Sequence, residues 1–201
     1  MSVLESRRVR ASLLGALLSV GSFCRIGDTQ AAPPQPMRDD SASAQHQFDF
    51  LIGDWKITNH RLKARLAHSS EWIDFEATDS FHALPGGLGT EENFRTEHWP
   101  QYNAIGLHLF DPSEKKWFLY WADNKNSPGV MQTLATGFFS DGVGTFYGTD
   151  TVDGQPVIVR IIWKRIDADH ARWEQAFSID DRKSWETNWT MDFVRTSSTV
   201  N

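Results

Sequence analysis

The sequence predicts an all-β chain folded as an antiparallel up-and-down barrel of about 8–10 strands with a short helical turn on its N-terminal side. Three observations carry this expectation. From His46 onward, runs in which every second residue is apolar follow one another to the C-terminus. Turn chemistry separates almost every pair of runs. Nine Trp residues are spread over the chain, most of them on those runs.

The first element is the apolar stretch Phe48-Asp-Phe-Leu-Ile-Gly-Asp-Trp55. A short apolar cluster and a glycine ahead of a strand-opening Trp suit the plugged bottom of a small barrel. A helical turn is expected over Gln47 to Leu51, and Trp55 reads as the floor plug rather than a ligand contact. The strand candidates then run Trp55 to Leu62, Trp72 to Phe81, Thr90 to Thr96, Ala104 to Phe110 and Trp117 to Ala122. They continue as Thr133 to Phe139, Gly144 to Thr149, Val157 to Ile166, Arg172 to Ile179 and Glu186 to Arg195. Asp111-Pro112-Ser113, Ser140-Asp141-Gly142, Asp153-Gly154, Asp167-Ala168-Asp169 and Asp180-Asp181-Arg182 lie between them, where Asp, Gly and Pro accept or preset turn dihedrals. Such short connections join antiparallel neighbours, so the order is a meander. A meander has two edges, which closure into a barrel removes. Pro85-Gly-Gly-Leu-Gly89 reads as a bend, since no helix follows to make it a phosphate site.

Ahead of this domain, Arg7, Arg8 and Arg10 precede an apolar stretch from Ala11 to Phe23, and Thr29-Gln-Ala31 supplies a small-x-small cleavage site. That is the layout of a signal peptide over residues 1–31. The apolar run is shorter than the roughly 20 residues that span a bilayer. Arg10 stands where a twin-arginine signal takes a bulky apolar residue, and Phe23 stands where lipoprotein processing at Cys24 takes a small one. Residues 32–45, rich in Pro, Ser and Ala, read as a flexible linker, and residues 46–197 as the barrel domain. The expected location is periplasmic or secreted. Cleavage discards the single Cys and leaves a domain more acidic than the net −6 of the whole chain. Nucleic acid and anionic membrane surfaces, which need a concentrated positive field, are poor partners for such a domain, and neither nucleic acid nor an integral membrane segment after cleavage is expected.

The Phe48-to-Trp55 opening, the Trp-bearing runs at 72, 117 and 121, and 185 and 189, and the closing Met191-Asp-Phe-Val-Arg195 together resemble the calycin superfamily of lipocalins, fatty-acid-binding proteins and nitrobindin-like barrels. Phe110-Asp-Pro112, Gly142-Val-Gly-Thr-Phe-Tyr-Gly148 and Arg172-Trp-Glu-Gln-Ala-Phe-Ser178 are similar to a bacterial lipocalin-like family, often exported, that carries no agreed activity or catalytic residue. The resemblance spans residues 46–195 and implies a barrel with a cavity. Gly53-Asp54-Trp55 matches the lipocalin opening, whereas the paired Cys of secreted lipocalins are missing. Lys56-Ile57-Thr58-Asn59 replaces the glycines of the nitrobindin pattern, so no cofactor is expected.

The functional expectation is a small, partly apolar ligand held in a Trp-lined cavity. Two other classes remain: a barrel enzyme of the isomerase, hydratase or cyclase type using an internal carboxylate, and an interaction domain with a filled core. Glu174 and Glu186 are the candidate catalytic carboxylates, since either becomes a general acid if desolvated in a cavity. Simple alternation instead turns both to water, with Asn188 and Asp192, opposite a Trp, Phe and Met face. Arg160 interrupts Val157-Ile-Val-Arg-Ile-Ile-Trp163; inside the barrel it needs a carboxylate or a ligand anion, outside it packs its stem on apolar neighbours. Asn59 and Arg61, on the face of Trp55 and Ile57, join Asn93, Trp121, Gln175 and Trp189 as candidate ligand contacts. None of the seven His residues forms a metal-ligand spacing, and no metal is expected.

Overall fold

The structure is a computed structural model that describes residues 44–197; the expected signal segment 1–31 and the linker as far as residue 43 lie outside the described residues. Two 3-10 turns, Ala44–His46 and Asp49–Leu51, precede ten strands: β1 (Gly53–Leu62), β2 (Trp72–Ala83), β3 (Gly89–Thr96), β4 (Tyr102–Asp111), β5 (Lys116–Asp123), β6 (Gln132–Ser140), β7 (Val143–Val152), β8 (Gln155–Arg165), β9 (His170–Ser178) and β10 (Glu186–Ser197). Each expected run is a strand. Ala44 and Gln45, expected as the end of the linker, belong to the first turn, and a third 3-10 turn, Pro85–Gly87, occupies the expected bend.

Every strand pairs antiparallel with its sequence neighbours, and β1 pairs with β10, giving a closed barrel with no free edge. Asp141-Gly142 and Asp153-Gly154 both take positive φ at their two residues, the backbone that a two-residue hairpin with the native strand twist demands. Alternation then fixes the inside. Trp55, Ile57 and Asn59 of β1, Phe75, Ala77, Asp79 and Phe81 of β2, and Val157, Val159, Ile161 and Trp163 of β8 are all buried, with more exposed residues between them.

One end is stoppered. Phe48, fully buried, lies among the rings of His108 (4.2 Å between centroids), Trp117 (4.8 Å), Phe139 (4.9 Å), Phe146 (5.6 Å) and Trp163 (6.2 Å). The plug is therefore Phe48, not Trp55 as the sequence suggested. Trp55 holds it in place by donating from Nε1 to the Leu51 carbonyl at 2.6 Å. From the last strand Arg195 lies over the Trp55 ring at 4.1 Å and donates to the carbonyls of Ile52 (2.6 Å) and Phe50 (2.7 Å). The turn's orphan acceptors are thus satisfied by a residue some 140 positions away.

Phe48→Ala should lower unfolding free energy by about 3–5 kcal/mol, the cost of emptying an aromatic site that its neighbours cannot refill. Chemical denaturation checks this; a loss below about 1 kcal/mol would place the plug outside the cooperative core.

Candidate functional site: the open mouth and the buried acids

The opposite end stays open. Three of its connections are long, residues 63–71, 124–131 and 179–185, and 97–101 and 153–154 complete that end, whereas the stoppered end has connections of five residues or fewer. Together they frame a cavity of about 760 Å³ lined by Arg61, Trp99, Tyr102 and Trp189, with Arg65, Lys125 and Asp150 at its rim.

Arg61 ends the inward face of β1. Its guanidinium lies between two indoles, 5.5 Å from the Trp99 centroid and 5.2 Å from that of Trp189. Burial, and then the neighbouring Arg65, lower its pKa from the ordinary arginine value. Two residues earlier, fully buried Asn59 accepts from Trp189 Nε1 at 3.0 Å. Trp189 packs edge-on to Trp173 and Trp99, and Trp99 in turn meets Phe75 and Tyr102. Tyr102 accepts from Trp121 and donates to Asp123, and burial pushes its phenol above the ordinary value.

The other candidates divide between inside and outside. Trp121 faces inward, half-buried against Phe94 at 6.0 Å. Gln175, opposite Trp189, donates to Asn188 Oδ1 at 2.9 Å. Arg160 and Glu174 are on the outer wall, not in the cavity: Val159 and Ile161 take the inward positions of β8, and Arg160 pairs with Glu174 at 3.6 Å while lying 4.5 Å from the Trp185 ring. Asn93 is likewise outside, between inward Glu92 and Phe94. Glu186 departs from simple alternation. The register of β10 against β9 shifts between Thr187 and Trp189, so Glu186 comes opposite inward Phe177, and its carboxylate accepts from the Leu66 amide at 2.8 and 3.1 Å.

Deeper in the barrel, three adjacent strands bring together two acids the sequence reading passed over and one of the seven histidines. Asp79 of β2, Glu92 of β3 and His108 of β4 are 4, 7 and 4 % exposed. Burial raises both acids, Glu92 to about 8, and the neighbouring Glu92 raises Asp79 further. Burial lowers His108 to about 3, and its Nδ1 meets Thr90 Oγ1 at 3.1 Å. The His108 to Glu92 distance of 3.5 Å is long for an ion pair, in keeping with two neutral partners at pH 7. Gly106 makes the arrangement feasible, because a Cβ there would come within 2.5 Å of Glu92 Oε1. Among the described residues no group of three or more His, Cys, Asp or Glu is arranged to hold a metal ion. The signal for these acids was present, since Asp79 shares the phase of Phe75 and Phe81, and Glu92 that of Phe94. Trp99, Arg65 and Lys125 lie on connections, where no period marks them.

Fold and mouth together define a closed antiparallel barrel, filled at one end and open at the other. No protein-family model matches the chain. No curated protein matches it. Among solved structures it is similar to Rv2717c from M. tuberculosis, at 14% identity, a TM-score of 0.49, and coverage of 79% of this chain and 100% of that one.

The buried groups set opposite pH slopes. Glu92, raised in the fold, binds its proton more tightly there, so its stabilisation is full below about pH 4.5 and is lost as pH climbs to about 8. His108, lowered in the fold, works in reverse and weakens the fold as pH falls from about 6.5 towards 3. Melting temperature should therefore decline between pH 6.5 and 8, where only the acids titrate in this cluster, and Glu92→Gln should flatten that decline. An identical alkaline slope in the variant would show that Glu92 is ionised throughout.

Proposed function

We propose that this chain is a lipocalin-like barrel of the calycin type that binds a small, partly apolar molecule at its open mouth. One observation carries the reading: the stoppered half is packed with aromatic rings, whereas the open half keeps about 760 Å³ beside Trp99, Tyr102 and Trp189. Cavities of this size with aromatic walls and a few polar groups suit drug-sized ligands. Arg61 and Trp189 are the proposed contacts; Asn59 supports Trp189 from behind, and Trp121 and Gln175 support the wall through Tyr102 and Asn188.

Binding is favoured over catalysis because neither candidate acid is a free carboxyl in the mouth. Glu174 pairs with Arg160 outside, and Glu186 holds the Leu66 amide. The reading includes export, which rests on residues 1–31; among the described residues, no helix is long and apolar enough to cross a membrane.

N-Phenyl-1-naphthylamine, a neutral dye that brightens in apolar sites, tests the reading. Its fluorescence should rise and saturate with the protein. Trp99→Ala, which removes one wall from a connection rather than a strand, should weaken binding roughly three- to tenfold, the worth of one aromatic contact. No saturable rise, or an unchanged affinity in the variant, would sink the proposal.

A further inference from the structure

The lining of the mouth carries a charge opposite to that of the chain. The sequence has a net charge of −6, yet Arg61, Arg65 and Lys125 line the mouth against the single carboxylate of Asp150. That carboxylate already accepts from the Thr151 amide at 2.7 Å. Glu186, the inward acid nearest in sequence to Trp189, has both oxygens on the Leu66 amide. A positive funnel in an acidic protein raises the local concentration of anions and repels cations.

Arg61 lines that funnel, and on its face of β1 two buried donors lack protein acceptors. Arg61 has no carboxylate within ion-pair distance among the described residues, and its Nε is buried and unmatched. Asn59, on the same inward face, uses its Oδ1 for Trp189 Nε1, which fixes the orientation of the amide and leaves Nδ2 buried and unmatched. Both unmatched atoms on this face are donors, and one belongs to a cation. A neutral hydroxyl would satisfy hydrogen bonding alone, whereas an oxyanion also supplies the missing counter-charge. The contrast with Arg160 is instructive: its Nε is also unmatched, but Glu174 neutralises its guanidinium on the outer wall.

We infer that the ligand is an organic anion: an apolar body lies against Trp99 and Trp189, and one carboxylate, sulfonate or comparable oxyanion group seats on Arg61, with Arg65 and Lys125 drawing it in from the rim. This rests on the reading that the mouth binds a small molecule.

The test compares N-phenyl-1-naphthylamine with 8-anilinonaphthalene-1-sulfonate, which adds a sulfonate to the same ring system. Arg61→Gln should lower the affinity for the sulfonate relative to the neutral dye about tenfold, the scale of a charge-assisted hydrogen bond. Lys125→Gln, at an exposed position that leaves folding untouched, should lower the ratio roughly two- to threefold, and added salt should weaken only the sulfonate. If Arg61→Gln does not fold, Lys125→Gln and the salt series decide. A ratio unchanged in the folded variants, with the neutral dye still bound, overturns the anion and leaves the mouth reading standing. Failure of both dyes to bind overturns the two together.

Discussion

The pairing of β1 with β10 is the constraint on which the rest depends. It removes the two edges of the meander, and by placing Trp55 opposite Arg195 it brings the first and last strands together beneath the plug. Arg195 then accommodates the carbonyls of Phe50 and Ile52, Trp55 holds that of Leu51, and Phe48 is driven into the aromatic floor. Closure also fixes phase. With no free edge, no strand can slip by one residue without turning its whole apolar set to water. The inward position of Arg61 is thus set by the same register that seats Trp55 and Ile57.

A barrel closed this way has to tolerate whatever polar groups its phase turns inward. Asp79 and Glu92 are tolerated because burial, and for Asp79 also the neighbouring Glu92, favours their protonated forms, so the interior holds acids rather than two charges. His108 is kept neutral by the same burial. Gly106 supplies the space for Glu92, and Thr90 partners the imidazole. The interior is then polar without being ionic, which confines the charged chemistry to the mouth.

Much of this was legible in the sequence, because alternation and turn residues are local properties. All ten strands and the Asp-Gly hairpins followed from them. The plug was assigned to the wrong ring, since Trp55 and Phe48 are both apolar and only the reach of Arg195 across the closed barrel separates their roles. The site was legible in part. Arg61, Asn59 and Trp189 share inward phases that alternation reveals, whereas Arg160 stands out by composition yet falls on the outer phase of β8. Glu186 could not be placed, because a bulge inverts the phase on one side of Asn188 and nothing in the local pattern announces it.

That bulge links fold to chemistry. By turning Glu186 inward it gives the Leu66 amide a carboxylate to bind, and Leu66, at φ of 58°, takes a left-handed conformation that a β-unbranched but bulky side chain seldom adopts unaided. The connection so anchored holds Arg65 over the Phe177 ring at 5.5 Å, on the rim of the cavity. One irregular residue in β10 therefore reaches the far side of the entrance, because the connection it anchors at Leu66 carries the neighbouring cation Arg65. The positive entrance is a consequence of strand register as much as of composition, which explains how a chain with an excess of acidic residues presents a cationic opening.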